Sequence, residues 1–213
     1  MKCTVCGQDY GVAHNCAGVA AFMTPEEAAP PPSGFAPLYY LRLAFSIVRW
    51  DDVAIRRASR DSNAIYYGAF VWLTSATLIL LGTVLPKVLL AIRARGPAAV
   101  NVIGIIVGLT FGLAVMAILT FIQLGLCHLI AKWFFDGTGS YLAVMRPLLL
   151  GWFVNALILI PVVGPWAAAI AWIAVLMLVF EEVDGIGRLQ AFLISAGINV
   201  FFTVIQFMLP IRH

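Results

Sequence analysis

Long apolar runs, separated by short charged breaks, dominate the chain from residue 64 onward. Residues 98–131 include no Asp, Glu, Lys or Arg. As a helix this stretch would be roughly 50 Å long at ~1.5 Å per residue, against a hydrocarbon core of ~30 Å, so it reads as a membrane span with length to spare. A second charge-free run, 147–180, is interrupted by Pro161-Val162-Val163-Gly164-Pro165. Two prolines and a glycine in five residues break a helix, which predicts two short spans, about 143–160 and 164–180, meeting in a tight hairpin. Residues 64–85 form a first span stopped by Pro86, with Lys87, Arg93 and Arg95 in the connector that follows. A last span covers about 189–210, and 211–213 are a tail. Lys132-Trp133 marks an interface and Asp136-Gly137-Thr138-Gly139 a loop. Glu181, Glu182 and Asp184 read as solvated loop charge. The pattern predicts an all-α polytopic bundle of about five spans over residues 64–210.

Residues 38–63 lead into the first span and are amphipathic. Arg42, Arg49, Arg56 and Arg60 share one arc of a helical wheel, with Tyr40, Leu43, Ala44, Ile47 and Ala54 toward the other side. Such a helix lies in the membrane interface with its arginines toward lipid phosphates; the same charges also serve as ordinary positive-inside flanks. Asp51-Asp52 interrupts the pattern and suits the start of a second helix, where the dipole is positive.

Composition agrees with a membrane domain. The chain is 62% hydrophobic and 11% charged, with a mean hydropathy of +0.99, and a soluble domain would carry about twice that charged fraction. A net charge of +3 gives no case for nucleic-acid binding. The first 30 residues lack the apolar core of a signal peptide, so the N-terminus is expected to be retained.

Residues 1–16 read as a separate head. Cys3, Cys6, His14 and Cys16 form a Cys-x2-Cys-x7-His-x-Cys pattern. A Cys3His set closes the tetrahedral shell of Zn²⁺ and leaves no place for water, which points to a structural zinc site. The alternative is a disordered tail with incidental cysteines. Residues 17–37, with Pro30-Pro31-Pro32, form a semi-rigid linker.

Inside the spans the polar residues are Asn101, Gln123, His128, Asn155, Asn199 and Gln206. No buried charge suggests a proton or ion path, and the amides suit helix–helix hydrogen bonds. His128 suits an interfacial hydrogen bond or ligation of a haem or chlorophyll-type magnesium. Gly104, Gly108 and Gly112 form a small-residue stripe where another helix can pack closely. No catalytic triad, phosphate loop, paired catalytic carboxylates or His-Glu-x-x-His occurs, so no enzyme is expected.

Several features coincide in the second half. A span ends His128-Leu129-Ile130-Ala131-Lys132 and is followed by Gly137-Thr138-Gly139-Ser140. Then come the hairpin Leu159-Ile160-Pro161-Val162-Val163-Gly164 and the loop Glu181-Glu182-Val183-Asp184-Gly185-Ile186-Gly187-Arg188 before Leu189-Gln190-Ala191. This stretch resembles the bacterial branch of the Yip1 family of multi-span membrane proteins. With the first span and its lead-in, the resemblance covers about 38–210. It implies an all-helical five-span fold with a cytosolic N-terminus; in the cytoplasmic (inner) membrane, five spans then put the C-terminus outside. Eukaryotic members act in vesicle traffic and bind Rab GTPases, and lipid-related roles are proposed for the family. Their Asp-Leu-Tyr-Gly-Pro motif is absent here, so no functional residue transfers. The expectation is a non-enzymatic protein of membrane organisation, scaffolding or lipid handling, with membrane lipids and other membrane proteins or itself as partners. The alternative is an accessory subunit of a respiratory or photosynthetic complex.

Overall fold

The computed structural model describes residues 31–32, 34–96 and 101–208. The expected zinc head, residues 17–30 of the linker and the tail lie outside them. The described residues form helices and loops, with no strand among them. In chain order the helices are α1 (Pro37–Val48), α2 (Asp52–Arg60), α3 (Ala64–Arg95), α4 (Val102–Phe134), α5 (Tyr141–Gly151), α6 (Gly164–Val179) and α7 (Arg188–Met208). A 3₁₀ segment, Trp152–Leu159, continues α5, and a π turn, Phe180–Asp184, continues α6. Four stretches among the described residues are long and apolar enough to cross a membrane: Ala64–Ala94, Val102–Phe134, Tyr141–Leu159 and Gly164–Asp184. That fits an integral membrane protein. The described apolar stretch of α7, Arg188–Phe202, is shorter.

The amphipathic lead-in is two helices. Asp51 caps α2, its Oδ1 accepting from the Val53 and Ala54 amides at 3.0 and 3.2 Å, as the Asp51-Asp52 pair predicts. The apolar arc of α1, Tyr40, Leu43, Ala44 and Ile47, is buried. It has the i, i+3, i+4, i+7 spacing of a packed face. It meets the helix bundle: a Cβ on Gly151 would sit 3.1 Å from Ile47. Leu38, Leu41 and Phe45 remain exposed on the outer side. Tyr40 donates to Asp61 at 2.6 Å and stacks on Tyr67 at 3.9 Å between ring centroids. Burial, then the bond to Asp61, pushes the Tyr40 phenol above its ordinary value, so it keeps its proton at any pH below about 10.

Pro86 does not stop the first span; α3 runs through it to Arg95. A proline inside a helix removes one backbone hydrogen bond. Ending the helix in an apolar run would orphan up to four carbonyls, so continuation costs less. Gly68 packs on Leu149, Trp72 on Trp152 and Gly82 on Leu159, so α3 runs parallel to α5 and its 3₁₀ extension.

The long apolar run 147–180 does break at its prolines. The chain turns at Ile160–Val163, with Ile160 N–H donating to Leu157 O at 2.9 Å and Gly164 N–H to Ile160 O at 3.0 Å. Val162 occupies the left-handed region, φ 67°, which costs an L residue roughly 1–2 kcal/mol. Val162→Gly is therefore expected to stabilise the detergent-solubilised protein by about 1 kcal/mol, read as a higher unfolding midpoint. An unchanged or lower midpoint would mean that the turn is not strained there.

Candidate functional site: a mid-bundle groove and a polar end

A cavity of about 460 Å³ lies between α4 on one side and the 3₁₀ segment, α6 and α7 on the other. Its mouth carries Phe111 and Leu119, 69% and 43% exposed; Trp152 and Trp172, both buried, lie deep in it. The side chains at the mouth are apolar.

The groove's polar groups are amides and one hydroxyl. Gln123 Nε2 donates to Asn199 Oδ1 at 3.2 Å, tying α4 to α7, and Asn199 Nδ2 donates to Ser195 O at 2.7 Å. Asn155 Nδ2 donates to Trp152 O at 2.9 Å, and Thr120 Oγ1 to Met116 O at 2.8 Å. The helix-spanning amides of the sequence thus include three that converge on one space. Counted at ~1.5 Å per residue, Gln123 lies roughly 17 Å from the Phe134 end of α4, and Asn199 roughly 17 Å from the Arg188 end of α7. Half of a ~30 Å hydrocarbon core is about that depth.

One end of the bundle is polar. The π turn directs three acidic side chains to three elements. Glu181 Oε2 pairs with Arg188 Nε of α7 at 2.9 Å, and Glu182 pairs with Arg56 of α2. Asp184 Oδ2 lies 3.6 Å from His128 Nδ1 of α4. At that distance the two groups face each other without a hydrogen bond. The Asp184 side chain is fully buried and that of His128 is 8% exposed. Thr138 N–H donates to Asp184 O at 2.9 Å, and Gly137 N–H to Ala131 O at 3.0 Å, which fastens the Gly-Thr-Gly loop over the pair. A side chain at Gly139 would begin 2.8 Å from Val183 O, so the loop lies directly on the π turn. Arg146 reaches back to Ser59 O at 2.7 Å.

This end overturns the reading of Asp184 as solvated charge, since its side chain is fully buried; Glu181 and Glu182 stay partly exposed but are paired with arginines. The signal available in the sequence was their position: acids at a helix C-terminus oppose the dipole and need cations supplied from elsewhere. Of the four arginines expected at lipid phosphates, Arg42, Arg49 and Arg60 are exposed, whereas half-buried Arg56 is held by Glu182. His128 is turned toward Asp184 and stands 5.6 Å from the Tyr141 ring, the arrangement of a polar contact at a helix end. Of the glycine stripe, Gly112 faces α3, and a Cβ there would lie 3.6 Å from Leu80. A Cβ on Gly104 would meet only its own cap, Asn101, and one on Gly108 nothing within 4 Å. Cys3, Cys6, His14 and Cys16 lie outside the described residues.

No protein-family model, no curated protein and no solved structure matches the chain.

Proposed function

We propose that this chain is a non-enzymatic, Yip1-like membrane protein that handles lipid, and that the mid-bundle groove is where lipid enters. The observation that carries this reading is the groove itself: an apolar mouth between α4 and its neighbours, with amides at half the depth of the bilayer. Its volume falls in the ~300–1,000 Å³ range of ligand pockets. The polar end belongs on the cytoplasmic side in this reading. Arg42, Arg49, Arg56, Arg57, Arg60, Lys132, Arg146 and Arg188 gather there, against Lys87, Arg93 and Arg95 at the other end. With α7 as a fifth span, the C-terminus lies outside; a cytoplasm-only reporter fused after His213 and active would rule that out.

The test of function is reconstitution. Vesicles holding the purified chain should move a fluorescent lipid between leaflets faster than protein-free vesicles, and Leu119→Trp, at the mouth, should slow that movement. A rate equal to that of empty vesicles would overturn the lipid reading.

The head is proposed to hold one structural Zn²⁺ through Cys3, Cys6, His14 and Cys16. Metal analysis of the full chain should then give one zinc per protein, lost in Cys6→Ser. A parent chain purified with zinc present and found metal-free would remove the proposal.

A further inference from the structure

We propose that the groove selects an uncharged lipid alcohol, a long-chain lipid whose polar group is a hydroxyl, such as a diacylglycerol or a polyprenol. This rests on the lipid-handling reading and names the substrate class of that same site.

Among the described residues, none that lines the groove is ionisable. Along the helices that line it, the nearest basic residues toward the polar end are Lys132, Arg146 and Arg188. They lie roughly 13–17 Å from Gln123, Asn155 and Asn199, at ~1.5 Å per residue, and Arg146 is bonded to Ser59 O. A lipid phosphate placed among the amides would be desolvated with no cation beside it, which is strongly unfavourable.

The hydrogen bonds in the groove have fixed directions. Backbone carbonyls only accept, so Ser195 O fixes the Asn199 amide with its NH₂ toward the backbone and Oδ1 toward Gln123. That in turn fixes Gln123 with Nε2 toward Asn199. Trp152 O fixes Asn155 in the same way. Gln123 Oε1 and Asn155 Oδ1 are left as carbonyl oxygens with no hydrogen bond among the described residues. Both oxygens only accept, so a ligand that satisfies them brings a donor, and the second N–H of each amide can donate back to it, a double role that a hydroxyl fills. A hydroxyl brings one; the carbonyls of an ester or of a quinone do not. Phe111, Val115 and Leu119 offer exposed apolar surface for the chain attached to that hydroxyl.

The test uses the full chain in lipid nanodiscs with a photoactivatable radiolabelled diacylglycerol as probe. Unlabelled diacylglycerol, polyprenol, isoprenoid quinone and phosphatidic acid serve as competitors. The expected adduct maps to the groove segments of α4, the 3₁₀ segment or α6. Both alcohols should displace the probe, and the quinone and phosphatidic acid should need roughly tenfold more, as the loss of a buried hydrogen bond implies. The double variant Gln123→Leu, Asn155→Leu should label roughly tenfold less than the parent. Equal competition by phosphatidic acid or quinone, or undiminished labelling of the double variant, would overturn the proposal while leaving the groove a lipid site. No groove labelling by diacylglycerol or by a matching phosphatidic acid probe would remove both readings. Should the double variant not assemble, the order of competitors on the parent chain decides alone.

Discussion

Gly164→Ala should leave the chain unable to assemble its last three helical segments. Gly164 is the first residue of α6 and is buried against the end of the 3₁₀ segment. A Cβ there would overlap the carbonyl oxygen of Leu157 and lie 3.1 Å from that of Ile158. Both are backbone atoms inside the turn, so no rotamer change relieves the clash and the hairpin itself has to open. Opening it separates α6 from the 3₁₀ segment and spoils the groove. The expected cost is in the exceptional class for a single substitution, more than about 4 kcal/mol. It would be seen as loss of the monodisperse peak when the solubilised protein is run on a sizing column. Gly108→Ala is the control: its Cβ meets nothing within 4 Å, so it should be neutral or stabilising by up to ~1 kcal/mol. A Gly164→Ala protein that melts like the parent would show that the hairpin is not closed as described.

Asp184→Ala should destabilise the bundle by about 3–5 kcal/mol, the usual effect of removing one member of a buried pair. His128 would be left buried in the last turns of α4, facing a space without a partner. The Gly137-Thr138-Gly139 loop would also lose a support, since a Cβ on Gly137 would already lie within 3.3 Å of the Asp184 side chain. His128→Ala should cost a similar amount. The double variant should lose less than the two together, by roughly 1–3 kcal/mol, because each single change already abolishes the shared interaction. Unfolding midpoints in a graded denaturing detergent measure all three. Effects that add to within about 0.5 kcal/mol would mean that the pair is not coupled.

These two sites show what the sequence can and cannot reveal. The break at Pro161–Pro165 was legible because proline and glycine act locally, whatever surrounds them. So was the cap at Asp51-Asp52. Pro86 misled because its local cost was outweighed by the apolar run around it, where ending a helix is worse than losing one bond. The glycine stripe on α4 was conspicuous, yet among the described residues only Gly112 of the stripe lies against another helix, while Gly164 and Gly139, inconspicuous in any pattern, admit no side chain. Close approach depends on which backbone passes by, and that is fixed by tertiary packing. The groove follows the same logic. Gln123, Asn155 and Asn199 could each be recognised as polar residues in apolar spans, but nothing in their spacing says that they face one space. Likewise the acids after α6 looked like loop charge until Arg56, Arg188 and His128 were brought to them from three other helices.

The central claim, a groove that admits lipid to the middle of the bundle, is tested most directly by quenching of Trp172. Lipids brominated near mid-chain quench indole fluorescence at contact range, and acrylamide does so only from water. Trp172 is only 4% exposed, so annular lipid alone has little access to it. The account expects brominated lipid to remove a component of the emission that is missing in Trp172→Phe, and acrylamide to leave that component untouched. A Trp172 component insensitive to brominated chains, or one quenched by acrylamide, would contradict it.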